Sequence, residues 1–215
     1  MSEQKITRAY KFDLSAEKRQ AEDTQEKVVG RIQGRPIVYE QRTNLGPFDE
    51  IISAGALDDA DLRDVALLVN HNTAMVPLAR SRNNNANSTM QLTVVEEGMD
   101  IRADLDIERN ATASETYSAV DRGDIDGMSF MFTIDGEEWE DLESEHPTRR
   151  ITRINKVFET SLVTWPAYQQ TSVETEARDR AALESARAAL ESARAEAEAE
   201  ARAAKAAEIR EKLNF

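Results

Sequence analysis

Two histidines are the side chains of this sequence best suited to acid–base chemistry, and their surroundings differ. His71 follows the apolar run at residues 65–69, so we expect it at the end of a buried strand, where a rigid scaffold can aim an imidazole. His146 lies in the charged segment 143–147, where no apolar neighbour would fix its orientation. Taken alone, a histidine at a strand end is more often a partly buried structural residue than a catalytic base.

Ser129 opens a predicted strand directly after an acidic turn, residues 123–127, that begins and ends with glycine. Glycine permits a left-handed backbone, which would present the hydroxyl at the mouth of the strand beside N–H groups able to hold an oxyanion. Alternation along the strand separates two sets of side chains, Met128, Phe130 and Phe132 on one face and Ser129, Met131 and Thr133 on the other. The first set predicts a core face and the second a site, although most serines in such a position only begin a strand.

Glu159 is the candidate for a third catalytic group. A serine hydroxyl needs a base within hydrogen-bond reach, and the base gains from a group that fixes its tautomer and balances its charge. Glu159 lies in the otherwise apolar or small segment 157–164, where an unpaired carboxylate would be costly to bury. A partnership with His71 would complete a triad, whereas Arg153 or Lys156 would make a salt bridge.

Other classes of chemistry find no support in the sequence. It has no cysteine, no glycine-rich phosphate loop, no pair of histidines at metal-binding spacing and no dinucleotide fingerprint, so we expect neither a cofactor nor a metal. There are 41 acidic and 27 basic residues, and the net charge of −14 disfavours nucleic acid and favours basic partners. The N-terminus lacks the apolar core of a signal peptide, and no apolar run approaches the ~20 residues of a membrane span, so we expect a soluble cytoplasmic protein.

Composition divides the chain into three parts. Residues 1–27 are polar without an apolar period and predict a mobile leader, and residues 28–171 form the body. In the tail, residues 172–215, the heptad at 180–186 recurs at 187–193. This repeat predicts a long helix with a thin seam that has only Leu183 and Leu190 as large residues. The seam suits a partner-docking helix as well as a solvated one.

The body is predicted to be α+β, a mainly antiparallel sheet or closed barrel with a few helices packed on it. A short helix is expected around residues 58–64 and a longer one over 112–122, with Thr112 and Glu115 as its capping box. The β-like segments are 28–39, 66–70, 91–95, 100–107, 128–134 and 151–163.

Four blocks, in order, resemble the prohead maturation proteases of tailed phages. They are EIISAGAL at 50–57, LLVNHN at 67–72, GDIDGMSF at 123–130 and FETSLVTWPA at 158–167. The resemblance implies a barrel similar to the herpesvirus assemblins, with surrounding helices, to which the repeat of the tail adds a long C-terminal helix. It also implies a serine endopeptidase packaged inside the prohead in the host cytoplasm, which cleaves segments of the scaffold and of the major capsid protein precursor, and usually itself.

The resemblance assigns the nucleophile to Ser129 and the general base to His71. The acidic residue of the last block falls on Glu159, where herpesvirus relatives have a second histidine, so His146 is the alternative third member. A homo-oligomer is compatible with the sequence. Two other classes stay open, a non-catalytic assembly protein with the same fold and a general peptidase that acts outside a shell.

Overall fold

The computed structural model describes residues 5–11, 14–20, 28–165 and 173–213. Eleven strands and two helices occur in these residues. In chain order they are β1 (Ile6–Lys11), β2 (Ser15–Gln20), β3 (Val28–Val38), β4 (Thr43–Asn44), β5 (Asp49–Ile52), β6 (Asp64–Val69), β7 (Ala79–Arg82), β8 (Met90–Val95), β9 (Gly98–Leu105), α1 (Ala111–Asp121), β10 (Gly127–Glu140), β11 (Thr148–Val163) and α2 (Val173–Leu213).

A seven-stranded sheet is built around the long pair β10 and β11. Its order is β1-β10-β11-β5-β4, and β6, which also pairs with β7, adds to β11 beside β5. The pairs of β11 with β5 and with β6 are parallel, and the other pairs in this sheet are antiparallel. Because β11 is 16 residues long, its first part can hold β5 while its last part holds β6.

The second sheet has four antiparallel strands in the order β2-β3-β9-β8. The two sheets share one core, which contains Ile32 and Ile101 from the small sheet and Phe130 and Phe132 from the large one. The α+β class is therefore confirmed. The predicted closed barrel is wrong for the described residues, because their strands pair as two separate sheets, and the likeness to herpesvirus proteases stays a prediction.

The predicted alternation along β10 is confirmed on the core side. Met128, Phe130 and Phe132 are fully buried, and the rings of the two phenylalanines stack with centroids 4.7 Å apart. Gly34 of β3 faces this strand so closely that an added Cβ would lie 2.8 Å from Met128 Sδ. This packing fixes which residues of β10 point away from the shared core.

Strands β1 and β2 lie inside the segment 1–27, for which the sequence predicts a mobile leader. β1 pairs with β10, and β2 pairs with β3. Backbone hydrogen bonds to a neighbouring strand hold such segments without any need for a strong apolar period. The remaining residues of the leader, 1–4, 12–13 and 21–27, lie outside the described residues.

The helices differ from expectation in two details. Residues 54–59 form consecutive turns and Asp64 already belongs to β6, so the short helix around 58–64 is not formed. The longer helix begins at Ala111, and Asn110 caps it by accepting a hydrogen bond from the backbone N–H of Ala113 at 3.2 Å. Asparagine is as good a cap as threonine, and it lies two residues earlier than the predicted Thr112.

The C-terminal helix packs on the body by its first half. Leu183 is buried, and the Arg187 guanidinium donates to the carbonyls of Leu142 at 3.1 Å and Ser144 at 2.7 Å. Leu183 is therefore covered within the chain and is not part of an exposed docking seam. Every side chain from 191 to 206 is exposed. Within the described part of the chain, no helix combines the length and the apolar character needed to cross a membrane.

Candidate active site

A tight turn after β6 positions His71. Asn70 and His71 both have left-handed backbones, with φ of 48° and 56°, which is uncommon for residues other than glycine. The Asn70 amide donates to Thr164 Oγ1 at 3.1 Å and accepts from the Thr164 N–H at 3.0 Å. This side-chain clamp ties the turn to the end of β11 and stabilises the unusual backbone that turns the chain at the histidine.

The His71 imidazole is bonded to the Glu159 carboxylate. His71 Nδ1 lies 2.6 Å from Glu159 Oε1, because β6 and β11 run parallel and the turn follows directly after their pairing. The side chain of Glu159 is 4% exposed and that of His71 is 25% exposed, so the carboxylate is buried under an imidazole that reaches solvent. A carboxylate only accepts, so Nδ1 carries a proton, and in the neutral imidazole the lone pair is on Nε2.

The alternative partners of Glu159 are engaged elsewhere. Arg153 pairs with Asp135 at 2.6 Å, and Lys156 pairs with Asp61 at 3.0 Å. Of the three partners that the sequence allows for Glu159, the structure places His71 against it.

Ser161 completes this cluster, and sequence reasoning did not single it out. It lies two residues after Glu159 on β11, so both side chains point to the same face. Its hydroxyl donates to Glu159 Oε2 at 2.6 Å and accepts from the His71 N–H at 3.1 Å. The two-residue spacing from Glu159 was the signal in the sequence that could have identified it.

Ser129 is brought beside this cluster by strand register. It lies opposite Ser161 across the antiparallel pair of β10 and β11, where paired residues have Cα atoms roughly 4.5–5.5 Å apart and share a face. Ser129 is fully buried, and its hydroxyl donates to the backbone carbonyl of Arg8 at 2.6 Å. In this arrangement Ser129 is therefore a neighbour of the Glu159, His71 and Ser161 cluster without a hydrogen bond to the imidazole.

The turn before Ser129 has a left-handed backbone at one of its two glycines. Gly123 has a φ of 76°, as expected, and its N–H bonds to the Val120 carbonyl at 3.0 Å. Gly127 is instead the first residue of β10, where it pairs with Lys11 and Val163. The left-handed backbone therefore lies at the end of helix α1 and not next to the serine.

His146 lies in a separate ion pair. Its Nε2 is 2.8 Å from Asp49 Oδ1 and 3.3 Å from Asn44 Nδ2. Burial alone would raise the pKa of Asp49, but hydrogen bonds from His146 and Arg42 lower it below the ordinary range. His146 thus contacts Asp49 of β5, and the side chain that contacts the His71 imidazole is Glu159 and not His146.

These groups together form the parts of a base-assisted nucleophile. An imidazole with a proton fixed on Nδ1 has an acceptor nitrogen ready, and a buried carboxylate can stabilise the imidazolium that forms. The described residues contain no cluster of three or more side chains that could hold a metal ion. The arrangement of His71, Glu159 and the two serines favours acid–base and nucleophilic chemistry.

Comparison with known proteins gives one match. A family model described as caudovirus prohead serine protease matches residues 15–186. The matched span includes His71, Ser129, Glu159 and Ser161, whereas β1 precedes it. No curated protein and no solved structure matches the chain.

Proposed function

Because this chain belongs to the caudovirus prohead serine protease family, we propose that it is an endopeptidase of capsid maturation. In this proposal it cleaves segments of the scaffold and of the major capsid protein precursor inside the prohead, within the host cytoplasm. Cleavage of its own chain is part of the same proposal. Ser129 acts as the nucleophile, His71 as the general base and Glu159 as the group that orients the base.

The hydrogen bond between Glu159 and His71 carries this assignment. At 2.6 Å it is a short contact between a buried acceptor and a partly exposed ring, which is the relation of the acid to the histidine in a serine-protease triad. The burial of Glu159 is costly without a cationic or hydrogen-bonding partner, and His71 and Ser161 supply its partners.

The proposed chemical step begins when the Ser129 hydroxyl leaves the Arg8 carbonyl and turns to His71 Nε2. Ser129 Oγ forms a bond to the carbonyl carbon of the substrate peptide while His71 Nε2 accepts the hydroxyl proton. The C–N bond of the peptide then breaks, and the imidazolium gives that proton to the leaving amine. A water molecule, deprotonated by the same nitrogen, releases the acyl group from Ser129 and restores the hydroxyl.

Two serines neighbour the imidazole turn, and Ser129 is the better nucleophile. The Ser161 hydroxyl is held from both sides, as a donor to Glu159 and as an acceptor from the His71 N–H. Both contacts are with Glu159 and His71, so a Ser161 hydroxyl that attacked a substrate would have to break the hydrogen bonds that hold these two residues in place. The Ser129 hydroxyl donates instead to the Arg8 carbonyl. This carbonyl belongs to β1, which lies outside the residues that the family model matches.

The first prediction is that Ser129→Ala abolishes proteolysis and leaves the fold intact. The full-length chain is co-expressed with the capsid precursor and scaffold, and cleavage is followed by gel and intact mass. Ser114→Ala is the matched control, because Ser114 lies on the exposed face of α1. Wild type and the control should cleave, whereas the Ser129 variant should not.

A serine-directed covalent probe identifies the nucleophile independently of the substrate. Peptide mass spectrometry should find the adduct on Ser129, and labelling should disappear in His71→Ala. An adduct on Ser161 would contradict the assignment of the nucleophile. Full cleavage by Ser129→Ala would do the same, and the absence of both cleavage and labelling in wild type would favour a non-catalytic assembly protein.

A further inference from the structure

Strand β1 lies along the edge of the strand that carries the proposed nucleophile. It pairs with the first part of β10 over its whole length, from Ile6 opposite Phe132 to Lys11 opposite Gly127. Ala9 is the residue opposite Ser129, and the preceding carbonyl accepts the Ser129 hydrogen bond. The chain therefore presents one of its own extended segments to the hydroxyl that must attack a peptide.

We propose that this edge of β10, residues 127–132, is the binding site for an extended peptide substrate, and that β1 occupies it as an intramolecular competitor. The inference rests on Ser129 as the nucleophile of the proposed function. Extended peptides commonly bind by adding a strand to a sheet edge. The 2.6 Å contact with the Arg8 carbonyl shows that a strand at this position brings a peptide group within reach of Ser129 Oγ.

The attachments of β1 are specific. The Arg8 guanidinium donates to Glu50 Oε1 at 2.5 Å and Oε2 at 2.9 Å, and it donates to Asp179 of α2 at 3.2 Å. Ile6 packs in the shared core, and the Lys5 ammonium lies 4.3 Å from the centre of the Phe158 ring. These contacts hold β1 on the edge of β10, beside the fully buried Ser129.

The body can nevertheless lose β1 without leaving its central carboxylate unpaired. Glu50 is almost fully buried, and it also accepts from Arg149 at 3.3 Å, so a cation remains beside it when Arg8 departs. An unpaired Glu50 would make the release of β1 far more costly, whereas Asp179 of α2 does lose its hydrogen bond to Arg8, which couples β1 to that helix. The family match begins at residue 15, after the end of β1, which supports a catalytic body that is separable from this strand.

A reversible crosslink tests the inference. Thr7 and Met131 are opposite residues of β1 and β10, and both are partly buried. The chain has no cysteine, so the double variant Thr7→Cys, Met131→Cys can form one defined disulfide at a spacing that suits it. Oxidation should slow both peptide cleavage and probe labelling of Ser129 by about tenfold or more, and reduction should restore them.

A matched disulfide controls for oxidation and rigidity. Thr93 and Asp100 are opposite residues of β8 and β9, and Thr93→Cys, Asp100→Cys places a disulfide there, in the other sheet. Its rates should be equal in the oxidised and reduced forms. A second variant lacks residues 1–13 and should label faster than the full chain, with its fold checked by circular dichroism.

Three outcomes separate the inference from the function on which it rests. Equal rates for the oxidised and reduced Thr7, Met131 pair, with Ser129 still labelled, would overturn the role of β1 and leave the protease assignment intact. A folded truncated chain that labels no faster than the full chain would also overturn it. Absence of labelling in the full, reduced and truncated chains alike would contradict Ser129 as the nucleophile, and the inference would end with it.

Discussion

Glu159 accepts a hydrogen bond with each of its carboxylate oxygens. Oε1 faces His71 Nδ1 and Oε2 faces the Ser161 hydroxyl, both at 2.6 Å. Two donors on opposite oxygens prevent rotation of the carboxylate, and the carboxylate in turn fixes the tautomer of the imidazole. The Ser161 hydroxyl also accepts a hydrogen bond from the backbone N–H of His71, so it helps to position both Glu159 and His71.

The residue-scale prediction concerns Glu159→Gln. A glutamine carries no charge to stabilise the imidazolium, and with one acceptor oxygen for two donors it turns an amide N–H towards either His71 or Ser161. We expect kcat to fall by up to ~10⁴-fold, with little change in the thermal midpoint. The measurement is steady-state cleavage of a capsid-precursor peptide.

The control for Glu159→Gln is His146→Ala. His146 binds Asp49 and Asn44, so its removal should leave kcat unchanged. The opposite pattern, a large loss in His146→Ala and none in Glu159→Gln, would transfer the third catalytic role to His146.

Side-chain chemistry made part of this site predictable. His71 and Glu159 were identified because an imidazole after an apolar strand and a carboxylate inside one are unusual, and the structure joins them. Ser161 and the Arg8 carbonyl were not identified. Their roles depend on which residues of neighbouring strands lie opposite one another, and one sequence does not specify that register.

At the scale of elements, Asp61 links the turn before β6 to β11. Its carboxylate accepts from the Arg63 backbone at 3.1 Å and guanidinium at 2.8 Å, and from Lys156 at 3.0 Å. Hydrogen bonds from Arg63, followed by that from Lys156, lower the pKa of Asp61 far below the ordinary aspartate range. The ionised carboxylate therefore stabilises the folded state.

Asp61→Asn should remove a pH-dependent part of the stability. A lowered folded-state pKa gives stability that is present above the ordinary pKa of ~3.9 and is lost as the pH falls towards the folded-state value. The variant should be less stable than wild type at pH 7 by on the order of 1 kcal/mol, and the difference should shrink in strong acid. Urea denaturation at several pH values measures it.

Asp59→Asn is the matched change in the same turn, because Asp59 is exposed. It should leave both the stability and its pH dependence close to wild type. A difference between wild type and Asp61→Asn that stays constant down to acid pH would contradict the electrostatic account.

The central strands of the body were predicted better than the polar ends of its long strands and the two N-terminal strands. β3, β6, β8 and β9 lie within about two residues of the expected segments, because buried strands carry strong apolar patterns. β10 and β11 extend beyond theirs through polar residues that a partner strand holds in place. β1 and β2 were missed as strands for the same reason, since their pairing depends on distant strands that local pattern does not reveal.

At the scale of the whole molecule, the arrangement of strands was the least predictable feature. A mainly antiparallel α+β body was expected and is present, but the closed barrel was not found among the described strands. A second unexpected feature is β11, which takes β5 and β6 as parallel partners along one edge. Such parallel pairs join segments nearly 100 residues apart, and no local signal encodes them.

The whole-molecule prediction concerns the exposed half of α2. Asp179, Leu183 and Arg187 attach the first half to the body, whereas the side chains from 191 to 206 are exposed. A chain that ends at Arg194 should therefore keep its fold and its cleavage rate in solution. If the exposed half docks on scaffold or capsid-precursor helices, incorporation into proheads should fall, which quantitative mass spectrometry of purified particles measures. Equal incorporation would exclude that docking role.

One guanidinium connects the C-terminal helix to β1. Arg8 is shared between Glu50 of the body and Asp179 of the helix, and burial raises the pKa of the Asp179 carboxyl above its usual range. A partner that draws the helix away takes one of the two carboxylates from Arg8 and so weakens the hold on residues 6–11. By thermodynamic linkage, departure of β1 must equally favour that partner. Binding of such a partner to the first half of the helix and exposure of the Ser129 hydroxyl would then favour each other.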